Sequence, residues 1–197
     1  MEIILASKSP RRREIFSRLA EEYGFEFSII TKPTDEALYG EHPSVGVATL
    51  AVRKGAAVAA EHSEALVVSS DTLVELDGIP LGKPEDKADA VRMLRALSGR
   101  GHNVHTGIAV HFCGRVYSGV ATTRVNFRTL TDGEIEDYVA GGEPMDKAGA
   151  YGIQGAAGAF VSSYDGEFDT VVGFNVTLLK KLLSEAVGDI SSLGEKL

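Results

Sequence analysis

The sequence predicts an α/β protein in which short apolar strands and helices alternate around a mixed sheet. Two apolar runs, at residues 3–6 and 66–70, have the composition of buried parallel strands, and a helix-start signal follows the first of them directly. The 197 residues suffice for one domain or for two small lobes, and 44% of them are hydrophobic. No run of about 18 apolar residues occurs, so we expect no membrane-spanning segment.

Local signals place the elements of the first half. Ser9 is a candidate N-cap and Pro10 a first helical residue, so a helix is predicted after the first strand. Alternating apolar residues at 25–29 predict a second strand, and the polar segment 31–43 predicts a loop. The Ala/Val-rich segment 44–62 predicts a largely buried helix.

The second half also alternates between the two types of element. The Asp77-Gly78 pair predicts a hairpin turn, and Thr131-x-x-Glu134 is a capping box that opens a helix. The remaining predicted segments are a helix at 86–97, strands at 104–112 and 115–127, a glycine-rich loop at 143–160, a hairpin at 160–172 around Asp165-Gly166, and a helix at 176–187.

Charge and cysteine content restrict the classes of function. The net charge of −8 argues against a general nucleic-acid-binding surface, and the absence of Trp makes base-stacking platforms sparse. A single cysteine, Cys113, cannot form an internal disulfide, and no basic segment precedes a long apolar stretch at the N-terminus. We therefore expect a cytoplasmic protein without nucleic-acid or membrane partners.

Four cations crowd the start of the first predicted helix: Lys8, Arg11, Arg12 and Arg13. A helix N-terminus already carries a partial positive charge, so this arrangement is unfavourable unless an anion is bound there. The sequence predicts a phosphate-like anion at this position, and removal of Arg12 is then expected to leave stability unchanged. The alternative is a solvated basic turn.

Asp71 and Lys83 are candidate functional side chains. Asp71 ends a buried strand, where a carboxylate can hold a divalent cation or activate water, although it could also serve as a helix cap or hairpin anchor. Lys83 lies between Gly82 and Pro84 on a stiff turn. Its side chain could lie in the same crevice as Asp71, or on the surface. The segment 146–155 has no helical or strand period, and its glycines allow close backbone approach to a ligand.

These unusual segments resemble the Maf family of nucleotide pyrophosphatases. The matching motifs, in family order, are 5–12 (LASKSPRR), 70–72 (SDT), 81–84 (LGKP), 97–100 (LSGR) and 143–155 (EPMDKAGAYGIQG). The resemblance implies a single domain over 1–197 with an elongated mixed sheet flanked by helices and two lobes around a central cleft, as in Maf- and ITPase-like proteins.

The resemblance also implies an activity. Members of the family hydrolyse nucleoside triphosphates to a monophosphate and pyrophosphate with Mg²⁺, Mn²⁺ or Co²⁺, in nucleotide-pool housekeeping. The motif that ends in Ile153-Gln154-Gly155 resembles the branch that acts on dTTP and UTP, and modified pyrimidine nucleotides are further candidate substrates. Because family members are often dimers, a homodimer is left open.

The family's functional positions map onto residues of this chain. Asp71 and Lys83 are the implied catalytic residues, and Asp71 and Glu36 the implied metal ligands. The implied substrate-binding residues are Ser7, Arg11, Arg12, Lys54, Thr72 and Gln154.

Three other functions compete with dTTP/UTP hydrolysis. One is a pyrophosphatase for 7-methyl-GTP, the substrate of a sister branch. The second is a nucleotide-sensing regulator of cell division without turnover, which would need the cations but not the base Asp71. The third is a nucleic-acid-binding module that uses the arginine cluster, against which the acidic composition argues.

Overall fold

A computed structural model describes residues 1–38 and 40–195 and contains a mixed sheet. Its strands are β1 (Ile3–Leu5), β2 (Ser28–Ile29), β3 (Leu66–Leu76), β4 (Ile79–Leu81), β5 (Gly101–Phe112), β6 (Arg115–Phe127) and β7 (Val161–Asp165). These seven strands have the order β2-β1-β3-β5-β6-β7, and β4 pairs with β3.

Helices and 3₁₀ turns connect the strands. The α-helices are α1 (Pro10–Tyr23), α2 (Pro43–Ala59), α3 (Lys87–Leu97), α4 (Asp132–Ala140), α5 (Phe168–Val172) and α6 (Val176–Val187). Short 3₁₀ helices span Glu143–Asp146, Ala148–Ala150, Ala156–Phe160 and Ile190–Gly194. The predicted α/β class is confirmed. No helix of the described residues is long and apolar enough to cross a membrane.

Strand pairing confirms that the two predicted buried strands run parallel, but the second does not end at Asp71, because β3 continues through this residue to Leu76. β1 runs parallel to β3, with Ile3 opposite Leu66, and it also runs parallel to the short strand β2. β3 and β4 form the predicted antiparallel hairpin. Its turn residues Asp77 and Gly78 have φ values of 54° and 80°, the left-handed conformation that a tight two-residue hairpin turn requires.

The predicted helix starts are also confirmed. The Ser9 side chain accepts a hydrogen bond from the Arg12 backbone N–H at the start of α1. Thr131 and Glu134 form the reciprocal capping box of α4. The local residue pattern thus fixes where these helices begin.

The chain divides into two compact units, each built from separate stretches of sequence. The first contains residues 1–71, 106–121 and the chain from 173 onward, and the second contains 72–105 and 122–172. The long strands β3, β5 and β6 each supply residues to both units.

The core of the first unit is built around Phe16, which is fully buried. Its ring makes an edge contact with Phe27, at 4.8 Å between centroids, and contacts Phe174 at 5.9 Å. Leucines from α6 and aliphatic residues from β1 and β3 complete this cluster. The amphipathic faces of α1 and α6 therefore pack on the same part of the sheet.

The second unit has an aromatic core and a buried polar network. Phe127 and Tyr151 meet edge to face at 4.8 Å between centroids. Beside this core, a Glu75 carboxylate oxygen lies 2.7 Å from His105 Nε2, and His105 Nδ1 lies 2.8 Å from the Thr122 hydroxyl. These buried polar groups satisfy one another, as burial requires.

The predicted hairpin at 160–172 is wrong in its second half. β7 pairs with β6, with Tyr164 opposite Val125, but the chain after Gly166 enters α5 instead of a returning strand. Gly166 has φ of 124°, and the Thr123 hydroxyl donates to the Glu167 carbonyl at 2.8 Å. This bond to β6 holds the chain away from a strand conformation, although the Asp-Gly pair resembles a hairpin turn.

Candidate active site

The guanidinium of Arg12 is the best-anchored cation at the start of α1. Its Nε donates to the Gly173 carbonyl at 2.9 Å, and its Nη1 donates to the Ser70 carbonyl at 2.7 Å. Only 14% of the side chain is exposed. Arg12 is therefore no solvated surface residue, because it ties α1 both to the end of the parallel part of β3 and to the chain before α6.

The remaining edge of the Arg12 guanidinium faces a carboxylate. Its Nη2 lies 3.9 Å from Asp71 Oδ1. Burial lowers the pKa of Arg12, the charge of Asp71 opposes this shift, and the charge of nearby Arg11 adds to it. The group stays protonated at any physiological pH, so it is a permanent positive charge beside Asp71.

Lys54 joins the two carboxylates that the sequence analysis singled out. Its Nζ lies 2.8 Å from Asp71 Oδ1 and 2.8 Å from Glu36 Oε1. The Asp71 side chain is 16% exposed, whereas that of Glu36 is 62% exposed. The structure thus brings together four of the predicted site residues, which we call the charged cluster: Arg12, Glu36, Lys54 and Asp71.

Two buried side chains set the position of Lys54 on α2. The Ser69 hydroxyl donates to the Ala51 carbonyl at 2.7 Å, and His111 Nε2 lies 3.2 Å from the Val52 carbonyl. Gly55 lets these groups approach, because a Cβ there would lie 2.6 Å from Ser69 Oγ. Burial lowers the pKa of His111, so its ring is neutral and Nε2–H is the donor.

Ser7 and Arg11 lie on the same turn between β1 and α1. Ser7 is buried, and its hydroxyl accepts from the Ser9 backbone N–H at 3.3 Å. Arg11 is half-buried, and it lies close enough to Arg12 to shift the pKa of that residue. The turn therefore gathers positive charge at a helix N-terminus, where backbone N–H groups also favour an anion.

The charged cluster offers few ligands to a metal ion. Among the residues that the structure describes, no group of three or more His, Cys, Asp or Glu side chains is arranged to hold one. Asp71 and Glu36 do supply two carboxylates that converge on one ammonium. This set fits Mg²⁺, which usually takes one or two carboxylates and completes its shell with water and substrate phosphates.

The other predicted site residues belong to the second unit. Thr72 is half-buried on β3, and Lys83 is exposed just after β4. The carbonyl of Gly82 accepts from the Gly149 backbone N–H at 3.0 Å, so the Lys83 turn is fastened to the glycine-rich loop. Gln154 is exposed on that loop.

Sequence reasoning missed several residues that hold these side chains in place. The carbonyls that anchor Arg12 come from Ser70 and Gly173, which lie 58 and 161 positions from it along the chain. Glu143 is part of the motif at 143–155 without a predicted role of its own, yet its carboxylate accepts from the Ala156 backbone N–H on the loop that carries Gln154. No local pattern reports such contacts, although an acidic residue at the start of a glycine-rich segment is a usable signal.

Cations at a helix N-terminus beside a parallel sheet are typical of α/β proteins that bind phosphate groups. The family model described as Maf-like protein matches residues 2–186 of this chain. The chain therefore belongs to the Maf family, and the resemblance found in its motifs is confirmed.

Curated relatives cover almost the whole chain. The dTTP/UTP pyrophosphatase of Moorella thermoacetica is 48% identical over 92% of this chain and 93% of its own length. That of Shewanella oneidensis is 44% identical over 94% of this chain and 98% of its own. That of Pelotomaculum thermopropionicum is 46% identical over 93% of this chain and 96% of its own length.

Proposed function

We propose that this protein hydrolyses nucleoside triphosphates, chiefly dTTP and UTP, to the nucleoside monophosphate and pyrophosphate. The observation that carries the proposal is the charged cluster, in which Lys54 and Arg12 hold the Asp71 carboxylate beside a helix N-terminus. Three relatives that are 44–48% identical over more than 90% of the chain bear the name dTTP/UTP pyrophosphatase, which supports this substrate class.

Asp71 is the proposed general base. Both cations contact its Oδ1, at 2.8 Å for Lys54 and 3.9 Å for Arg12. Its other oxygen, Oδ2, accepts a proton from the water that attacks the α-phosphorus. The bond from that phosphorus to the bridging oxygen breaks, and pyrophosphate leaves. A base that is held in place in this way typically contributes a factor of about 10² to 10⁴ to the rate.

The cations bind the triphosphate and stabilise its developing charge. An ammonium group has three N–H donors, of which Lys54 directs two at Asp71 and Glu36, so a third can reach a phosphate oxygen. Because the whole chain carries a net charge of −8, this local positive field is needed to attract a polyanion.

The proposed metal ion is Mg²⁺ or a similar divalent cation, held by Asp71 and Glu36. When bound, such an ion supplies charge neutralisation on the phosphates. The two carboxylates would hold the ion, and Lys54 offsets their negative charges before the substrate arrives.

The family resemblance supports the remaining assignments. Lys83 is assigned as a further catalytic residue. Gln154, Thr72 and Arg11 are assigned to base recognition. A Gln amide can accept from the N3–H of uracil or thymine and donate to a neighbouring carbonyl at the same time.

The experiment that tests this function is a panel of nucleoside triphosphates with Mg²⁺, in which pyrophosphate and phosphate release are measured separately. We expect pyrophosphate, with kcat/KM highest for dTTP and UTP. Asp71→Asn keeps the size of the side chain but removes its charge, so turnover should fall at least ~100-fold while nucleotide binding survives better.

Other outcomes would contradict the proposal. Near-normal turnover by Asp71→Asn would remove the assigned base. Binding of nucleotides without any hydrolysis would identify a nucleotide sensor, and a preference for 7-methyl-GTP would place the chain with the sister branch. Asp165→Asn is the matched control, because Asp165 is an exposed carboxylate on β7.

A further inference from the structure

The turn that carries Gln154 is short and bracketed by glycines. The backbone N–H of Gly155 donates to the Gly152 carbonyl at 3.0 Å, which closes the turn around Ile153 and Gln154. Gln154 itself is exposed. A glutamine on so short a turn meets a base in one fixed position only if other residues hold the turn in place.

Two side chains hold this turn, one at each end. The Tyr138 hydroxyl accepts from the Gly152 N–H at 3.3 Å, and one carboxylate oxygen of Glu143 accepts from the Ala156 N–H at 3.2 Å. The same Tyr138 hydroxyl donates to the other carboxylate oxygen of Glu143 at 3.1 Å. The two ends of the turn are thus joined through a single hydrogen-bonded pair, which we call the Tyr138–Glu143 clamp.

The clamp rests on rigid parts of the second unit. Tyr138 is 7% exposed on α4, and its ring meets Phe160 edge to face at 5.2 Å between centroids. Burial and the nearby charge of Glu143 raise the pKa of Tyr138, so its hydroxyl stays protonated and donates. The Lys147 ammonium donates to the Glu143 backbone carbonyl at 2.7 Å and so fixes the main chain of that residue.

The glycines on either side of Gln154 are required by the clamp. A Cβ at Gly155 would overlap the Glu143 carboxylate, and a Cβ at Gly152 would lie 2.6 Å from Lys147 Cε. The carboxylate therefore fills the space beside the turn, and any displacement of it moves the backbone next to Gln154.

We propose that Tyr138 and Glu143 are positioning residues that fix the orientation of Gln154 and thereby set the preference for uracil and thymine over cytosine. This inference rests on the proposed function, because it assumes that Gln154 reads the base. Because the clamp holds the backbone on both sides of Gln154, it fixes how far the amide reaches towards the base, and a turn that is free to shift would let the amide meet cytosine as readily as uracil.

Two variants break the clamp at different ends. Tyr138→Phe removes the partner of the Gly152 N–H, whereas Glu143→Met keeps the length of the side chain but removes both carboxylate oxygens, the acceptors for Tyr138 and Ala156. We expect each variant to lower the ratio of kcat/KM for UTP to that for CTP by about tenfold, the size of one lost hydrogen bond. The loss should appear mainly as a higher KM for UTP, with kcat within about threefold of the unmodified protein.

Matched controls lie on neighbouring surface positions. Glu136→Gln removes a charge on α4, the helix that carries Tyr138. Its side chain is 66% exposed and lies 4.0 Å from Arg95. Tyr164→Phe removes a hydroxyl from an exposed tyrosine on β7. Both should leave the UTP to CTP ratio unchanged. If a clamp variant fails to fold, Gly155→Ala disturbs the same carboxylate without altering either clamp residue, and the same loss of ratio is expected.

The outcomes separate this inference from the proposed function. If the unmodified protein releases no pyrophosphate, the proposed function fails, and the clamp has no base preference to set. If it prefers UTP and the folded variants keep that preference, the function stands and the clamp inference is overturned. A fall in kcat for UTP and CTP by the same factor would also overturn it, because a merely structural role would act on both bases alike.

Discussion

Arg12 shows that one side chain can serve both the site and the fold. Its guanidinium donates to two backbone carbonyls, at Ser70 and Gly173, while its remaining edge faces Asp71. The crowding of cations in the sequence suggested that its removal would leave stability unchanged, but these two bonds argue the opposite. Charge-assisted hydrogen bonds to buried groups contribute about 1.5 to 3 kcal/mol each.

We expect Arg12→Ala to lower the free energy of unfolding by about 2 kcal/mol or more, and to weaken triphosphate binding. Arg12→Lys should recover only part of both, because an ammonium lacks the planar fork. Arg13→Ala, at the adjacent exposed position, is the control and should change stability little. Urea unfolding and nucleotide titration measure the two effects, and an unchanged unfolding midpoint for Arg12→Ala would contradict the first.

The burial of His102 leads to a second prediction at the residue scale, a loss of stability in mild acid. Its ring is 1% exposed, one nitrogen lies 2.8 Å from the Tyr151 hydroxyl, and burial lowers its pKa from 6.5 to about 4. The unfolded chain therefore takes up a proton at a higher pH than the folded protein does. Above pH 6.5 the titration of His102 therefore costs the folded protein nothing. As the pH drops from 6.5 towards 4, this group lowers the free energy of unfolding by up to about 3 kcal/mol.

The variant His102→Gln cannot titrate, so its stability should depend less on pH between 6.5 and 4 than that of the unmodified protein. Chemical denaturation at a series of pH values gives the difference between the two curves. Parallel curves for His102→Gln and the unmodified protein would show that this ring does not carry the effect.

At the scale of elements, the sequence predicted those features whose signals are local. The Ser9 cap, the Asp77-Gly78 turn and the Thr131 capping box each involve residues within four positions of one another, and all three are confirmed. The sequence did not predict α5, and the bond from Thr123 that holds the Glu167 carbonyl just before this helix joins distant segments.

The site was predictable to a similar degree. The family resemblance implied Asp71, Lys54 and Glu36, and the structure brings these three together. The pattern could not show that Ser69 and His111 bind carbonyls of α2 and so set the position of Lys54. Such support comes from side chains that are adjacent only after the sheet has formed.

The packing of α2 against β3 and β5 gives a prediction at this scale. In Gly55→Ala the new Cβ would lie 2.5 Å from the His111 ring, so α2 must shift together with Lys54. We expect a loss of about 1 to 3 kcal/mol in stability and a lower kcat/KM. Gly133→Ala, in α4, is the control, because a Cβ there meets nothing within 4 Å and helix propensity favours it by up to about 1 kcal/mol. Equal melting temperatures for the two variants would contradict the argument.

For the whole molecule, the important feature is that neither unit is one continuous stretch of chain. The first unit needs its last segment, because Phe174, Leu179, Leu182 and Leu183 are buried in its core. Each such side chain contributes about 1.5 to 3 kcal/mol when buried, so together they match the total stability of an ordinary domain, about 5 to 15 kcal/mol.

A chain that ends after Val172 should therefore fail to fold its first unit. We expect loss of near-ultraviolet circular dichroism and fast amide exchange in β1 and α1. A chain that ends after Gly194 keeps all of these core side chains and should remain folded. Protected amides in β1 of the shorter chain would show that the last segment is dispensable.

This arrangement has a consequence for synthesis on the ribosome. The apolar strand Ile3–Leu5 is made about 170 residues before its core partner Phe174. At about 5 to 20 residues per second, that interval lasts roughly 10 to 30 s. During this time the face of β1 that packs in the same core as Phe174 lacks that cover, so we expect chaperones that shield apolar segments to bind the newborn chain. Its first unit completes its core only after Phe174 and α6 have been made.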